Sequence, residues 1–203
     1  SDSDGNDTID GGAGNDEIIA GLGNDSVTGG SGNDTLDPSQ GDDIAYGGAG
    51  NDLFLETAGN DSLYGGDDAD TFRYWTGLGT DLGTNTIQGG EGGTDNDVLD
   101  ASLLNTDTTV TFTGDEAGTL ASDVSTTAFS EIEGLRLGSG NDTVDATANT
   151  QSVSVEAGAG NDVVIGGSGA DSLYGGDGAD VIRAGAGDVV QGGEGGTDND
   201  TLV

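Results

Sequence analysis

Aspartate recurs every nine residues through the first third of the chain, at Asp7, Asp16, Asp25, Asp34, Asp43, Asp52, Asp61 and Asp70. Each is the sixth residue of a unit, and eight such units run without a break from Asp2 to Arg73. The fourth position is Gly5, Gly14, Gly23, Gly32, Gly41, Gly50 and Gly59, and the eighth is Ile9, Ile18, Val27, Leu36, Ala45, Phe54, Leu63 and Phe72. A second, less regular series of sixth positions follows at Asp97, Asp142, Asp162, Asp171, Asp180, Asp188 and Asp200. Carboxylates set among glycines suit the chemistry of a hard divalent cation. Glycine tolerates positive φ and lets backbone carbonyls approach a ligand, and the fifth-position Asn enters the left-handed region cheaply. Six to eight oxygens at flexible geometry describe calcium better than the smaller, octahedral magnesium. Zinc and copper want imidazole or thiolate, and the chain has neither His nor Cys.

The repeat also dictates the elements that carry these groups. Six residues of the form GGxGND precede three of the form xUx, with U apolar, as in GGAGNDEII (Gly11 to Ile19). The xUx triplet reads as a very short strand with U inward and its neighbours outward. Two units make one coil, so units 18 residues apart stack about 4.8 Å apart and the aspartates form two ladders. One ladder holds Asp7, Asp25, Asp43 and Asp61, and the other Asp16, Asp34, Asp52 and Asp70. Stacked carboxylates repel unless a cation lies between them, and each is expected to be shared by two sites. One buried apolar residue for every nine ordered ones does not offset the backbone entropy lost, so the ion is expected to be part of the folding reaction. A short repeat at fixed period means an all-β solenoid.

Composition narrows the partners. The 203 residues hold 39 acidic side chains against three arginines (Arg73, Arg136 and Arg183), a net charge of -36. That charge excludes nucleic acid and disfavours a bare anionic membrane surface, leaving cations as the complement. No apolar run is long enough to span a bilayer, so no membrane insertion is expected. Without Cys there is no disulfide or thiolate site. Every unit carries the same acid and no base stands beside a nucleophile, so no catalytic residue is singled out and an enzyme is not expected. The NDT strings at Asn6, Asn33 and Asn141 match the glycosylation sequon only because the repeat forces them. DSDGND at Asp2 to Asp7 resembles the start of an EF-hand loop, but no Glu follows at the twelfth position.

Along the chain, residues 1–73 form a first array, residues 74–100 an inserted loop and a resumed repeat, residues 101–136 ion-poor coils of strand, and residues 137–203 a second array, all expected to be one continuous solenoid of roughly eleven coils. Strings such as TVTFT (Thr109 to Thr113) and EGLRL (Glu133 to Leu137) carry strand alternation without the acidic loop. DSLYGGDDAD at Asp61 to Asp70 recurs as DSLYGGDGAD at Asp171 to Asp180, and QGGEGGTDND at Gln88 recurs at Gln191. Between these duplicated blocks the first copy carries a seven-residue insertion containing Trp75. Tyr46 and Tyr64, both at the outward ninth position, are expected on neighbouring coils near that insertion. The sequence begins inside one repeat and stops inside another, as expected of a segment from a longer protein.

GGAGNDEII (Gly11 to Ile19), GGSGNDTLD (Gly29 to Asp37), GGAGNDLFL (Gly47 to Leu55) and GGSGADSLY (Gly166 to Tyr174) resemble the RTX, or hemolysin-type, calcium-binding repeat. The resemblance implies a right-handed parallel β-roll, exported unfolded by bacterial type I secretion and folding on external calcium, as part of a larger secreted or cell-surface parent chain. It implies ions between loops 18 residues apart, bound by the sixth-position aspartates and by carbonyls from the first four loop positions. The corresponding glycines are Gly5, Gly12, Gly14, Gly21, Gly23, Gly30, Gly32, Gly41, Gly48, Gly50, Gly59, Gly66 and Gly90 in the first array. In the second they are Gly158, Gly160, Gly167, Gly169, Gly176, Gly178 and Gly193.

Several positions depart from the pattern. Pro38 and Ser39 replace the glycine pair of the fifth unit, Glu56 and Thr57 that of the seventh, and Asp68 the fourth-position glycine of the eighth. Asn85 takes a sixth position, Asp97 and Asp200 follow three-residue insertions, and Asp188 sits in a unit one residue short. The alternatives are a glycan-, surface- or ice-binding adhesin module, or the non-catalytic C-terminal module of a secreted enzyme or toxin. The third loop position lacks the regular Thr array expected of ice binding.

Overall fold

The computed structural model describes residues 4–56, 58–74, 82–93, 95–193 and 199–203. Their regular structure is strand alone, in two sheets that the chain visits alternately. The first sheet opens with Thr8–Ala13, Ser26–Ser31, Ile44–Ala49, Ser62–Asp67 and Gly83–Gln88. The second runs through Glu17–Leu22, Thr35–Gln40, Leu53–Glu56, Thr71–Tyr74 and Val98–Asp100, then Gly134–Arg136, Ser154–Ala159, Ser172–Asp177 and Val189–Gln191. Pairing is parallel at 18 residues, with Val27 opposite Ala45 in one sheet and Leu36 opposite Phe54 in the other. The result is a β-solenoid of about ten turns. No helix among the described residues is long and apolar enough to cross a membrane.

The eighth-position residues form the core because a strand alternates its side chains and the two sheets face each other through them. Val27, Leu36, Ala45, Phe54 and Phe72 are fully buried. Phe54 and Phe72 stack on adjacent coils with ring centroids 4.8 Å apart. On the outer surface Tyr46 and Tyr64 stack in the same way at 4.9 Å. Thr57 and the insertion at Trp75 lie outside the described residues.

Within residues 101–136 only Gly134–Arg136 continues the parallel coils that the alternation suggests, and the first sheet departs from them. Thr109–Gly114, Ala117–Ala121 and Ser125–Ser130 form an antiparallel meander inside the first sheet. Its outer members pair in parallel with Thr143–Asp145 and with Gly83–Gln88. Short connections force the reversal. Asp115 and Glu116 alone link the first pair, Glu116 taking φ 52°, and Ser122 Oγ accepts the N–H groups of Val124 and Ser125 in the second turn. The second sheet takes no part in the excursion, and Leu99 pairs directly with Leu135.

Candidate metal centres

The turns between the sheets stack into two columns, one along each edge of the solenoid. In one column the backbone N–H of Asp7 donates to Asp25 Oδ1 at 2.8 Å, Asp25 to Asp43 at 2.7 Å, and Asp43 to Asp61 at 2.9 Å. In the other, Asp16 donates to Asp34 at 2.8 Å, Asp34 to Asp52 at 2.7 Å, and Asp52 to Asp70 at 2.7 Å. Fifth-position asparagines run a ladder of the opposite sense, the N–H of Asn33 donating to Asn15 Oδ1 at 3.1 Å. Second- and fourth-position glycines supply the left-handed turn, with Gly30 at φ 118° and Gly32 at 121°. Ser39 and Asp68, which replace such glycines, keep positive φ at 73° and 75°. The departures therefore preserve the turn at some backbone cost.

Each ladder bond uses one carboxylate oxygen. The other, Oδ2, is buried and accepts no hydrogen bond in Asp7, Asp16, Asp25, Asp34, Asp43, Asp52, Asp70, Asp97, Asp142, Asp162 and Asp180. Buried polar atoms are ordinarily paired, so a regular series of orphans marks a missing partner. The first-position glycines show where it belongs. A Cβ at Gly29 would stand closer than 3.0 Å both to Asp34 Oδ2 and to the carbonyl oxygen of Gly47. The same holds at Gly47 for Asp52 and Gly65, at Gly65 for Asp70 and Gly89, and at Gly175 for Asp180 and Gly192. An anionic oxygen and a carbonyl from the next coil thus converge on space that only glycine leaves open. From Asp25 and Asp34 onward Oδ1 accepts the ladder N–H, so Oδ2 is the oxygen of each carboxylate left without a partner.

The first-position glycines Gly11, Gly29, Gly47, Gly65 and Gly175 fall within the four loop positions expected to lend carbonyls, although the sequence singled out by number only the glycines of positions two and four. The edges also differ. The first position is glycine throughout one column of the first array, and Asp2, Ala20, Pro38 or Glu56 in the other.

In the second array Asp142, Asp162, Asp180 and Asp200 continue the first column through bonds of 2.7, 2.8 and 2.9 Å. Asp171 and Asp188 are linked at 3.0 Å, but their Oδ2 atoms already accept N–H groups of their own loops, from Gly167 at 3.0 Å and Gly185 at 2.6 Å. Gly167 and Gly169 lack the positive φ of the first-array loops, as do Gly138 and Gly140. Asn85 holds a ladder position without charge, its Oδ1 accepting the N–H of Asp61 at 2.8 Å. Val153 occupies the site facing Asp171 and offers only its backbone N–H, at 3.0 Å.

The electrostatics point the same way. Burial pushes Asp43, Asp70 and Asp162 up to about 7 and Asp52, Asp61 and Asp142 up to about 6, against the relief of backbone N–H groups. Asp97 is pushed up to about 8 and Glu133 to about 7, again chiefly by burial and further by neighbouring carboxylates. Among the described residues Arg73 pairs with Asp100 at 2.9 Å and Arg136 with Glu156 at 3.5 Å, outside both columns. Oxygen-only donors, negative charge and glycine-lined gaps fit a hard divalent cation.

A model of the RTX calcium-binding nonapeptide repeat matches in four copies, over residues 1–36, 39–55, 57–81 and 156–191, more than half of the chain. No curated protein matches the chain.

Proposed function

The chain belongs to the RTX calcium-binding nonapeptide repeat family, and we propose on that premise that it is a calcium-dependent structural module of a larger secreted bacterial protein, unfolded until it meets external calcium. The observation that carries this reading is the series of buried Oδ2 atoms without partners. In the first array Asp16, Asp34, Asp52 and Asp70 hold ions together with the carbonyls of Gly29, Gly47, Gly65 and Gly89. Asp7, Asp25, Asp43 and Asp61 hold them along the opposite edge, and Asp142, Asp162, Asp180 and Asp200 in the second array. Asp171 and Asp188 contribute less, because their free oxygens are already hydrogen-bonded.

Calcium, when bound, supplies positive charge between stacked carboxylates. The chain's own residues do the rest: along the Asp16 column first-position glycines keep the gap open, asparagine and aspartate ladders fix the turn, and the apolar stripe joins the sheets. A net charge of -36 spreads the metal-free chain, and extracellular modules of this kind respond at about 10⁻⁴ to 10⁻³ M calcium. Counting ions on the chain by native mass spectrometry across that range tests the proposal. Several ions per chain are expected, and a chain that carries none at millimolar calcium ends it.

A further inference from the structure

The carboxylate column that begins at Asp16 does not end with the repeats. The N–H of Asp70 donates to Asp97 Oδ1 at 2.7 Å, and the N–H of Asp97 to Glu133 Oε2 at 2.6 Å, so Glu133 takes the place of a sixth-position aspartate 36 residues further on. Neither Asp97 nor Glu133 lies in a matched repeat. Asp95, in the three-residue insertion before Asp97, turns its carboxylate to the same point. One carboxylate oxygen each from Asp95, Asp97 and Glu133 lie within 4.8 Å of one another.

These acids alone would mean little, since acidic groups often gather on such a surface. A second observation distinguishes them. Asp97 is fully buried, and its Oδ2 accepts no hydrogen bond. Asp95 Oδ1 and Glu133 Oε1 are likewise buried without partners. The carbonyl of Glu131 completes the set, because a Cβ at Gly89 would stand closer than 3.0 Å both to it and to Asp97 Oδ2. Glu131 takes φ 58°, a left-handed conformation that a glutamate adopts at a cost.

We propose that Asp95, Asp97 and Glu133, with the carbonyl of Glu131, form a separate hard-cation site that binds calcium more tightly than the repeats do. Three carboxylates converge here where a repeat gap has one free carboxylate oxygen, and ligand charge sets affinity in calcium sites. The site ties the end of the first array to the strand Gly134–Arg136, across the point where the first sheet leaves the solenoid for its meander. The opposite column passes the same level on neutral groups, Asn85 and Thr127.

The inference rests on the chain binding calcium, but uses only one of the repeat-derived aspartates. It is tested by calcium titration calorimetry on the full chain, beginning from rigorously metal-free protein, with Glu133→Gln and Asp95→Asn. The glutamine keeps an acceptor for the Asp97 N–H, and Asp95 has no ladder bond to lose. The parent chain should show one binding step at least about tenfold tighter than the rest. Both variants should lose that step and still fold at saturating calcium. A single class of equal sites in the parent chain, or an unchanged first step in both variants, overturns this site and leaves the repeat reading standing. If Glu133→Gln does not fold, Asp95→Asn alone decides. No binding at all removes both readings.

Discussion

The backbone N–H of Asp16 donates to Asp34 Oδ1 at 2.8 Å, while Asp34 Oδ2, buried beside the carbonyl of Gly47, accepts nothing. One carboxylate therefore has two separable tasks. Its first oxygen joins adjacent coils, and its second waits for positive charge.

Asp34→Asn should split the two. The amide oxygen can still accept the Asp16 N–H, so the turn survives, but the anionic oxygen is gone and at least one ion is lost from the count by native mass spectrometry. Asp34→Ala should lose the ion and also strand a backbone N–H, at an added cost of about 1–3 kcal/mol. Equal ion counts for Asp34→Asn and the parent chain would contradict the assignment.

Neighbouring glycines should respond differently. Gly29 has no positive φ, so alanine fits its backbone, but the new Cβ would crowd Asp34 Oδ2 and the Gly47 carbonyl. Gly29→Ala should weaken calcium binding at that gap with little effect elsewhere. Gly30 sits at φ 118° with the Gly12 carbonyl against its open face. Gly30→Ala should destabilise the calcium-loaded roll itself by about 1–3 kcal/mol, read from its melting in saturating calcium.

Acidity should partly substitute for the metal. In the calcium-free roll Asp43, Asp70 and Asp162 sit at about 7 and Asp52, Asp61 and Asp142 at about 6, all above the ordinary 3.8. A raised folded-state pKa means that these groups' contribution is complete below pH 3.8 and is lost as pH climbs through 6 to 7. With chelator present, β signal should be greater at pH 4 than at pH 8. Conversely, calcium affinity should fall from pH 8 to pH 6 as protons compete for the same oxygens. More calcium-free β structure at pH 8 than at pH 4 would reverse the sign and refute the point.

Core packing should set how much calcium folding requires. Phe54 is fully buried and stacked on Phe72. Phe54→Ala should cost about 3–5 kcal/mol and raise the calcium concentration at the folding midpoint. Loss of ions at saturation is not expected, because the substitution removes no carboxylate or carbonyl of the turns.

Much of this was legible in the sequence for a physical reason: a nine-residue period fixes the inward residue, the turn and the acid together. Ile18, Val27 and Leu36 are buried as the spacing requires, and the two aspartate ladders fall at 18 residues. The meander was not legible because alternation reports that a segment is strand and not which way it runs. Glu133 was missed because its link to Asp97 spans 36 residues and has no glycine pair to announce it. The remaining signal was an acid directly before the small strand Gly134–Arg136, the same place Asp34 holds before Thr35–Gln40.

The central claim is that calcium provides the cohesion between stacked carboxylates, and far-UV circular dichroism of the whole chain, titrated from chelator to millimolar calcium at neutral pH, tests it most directly. The account predicts a disordered spectrum without calcium and a cooperative conversion to β structure as it is added. A full β spectrum in chelator, unchanged across the titration, would contradict it.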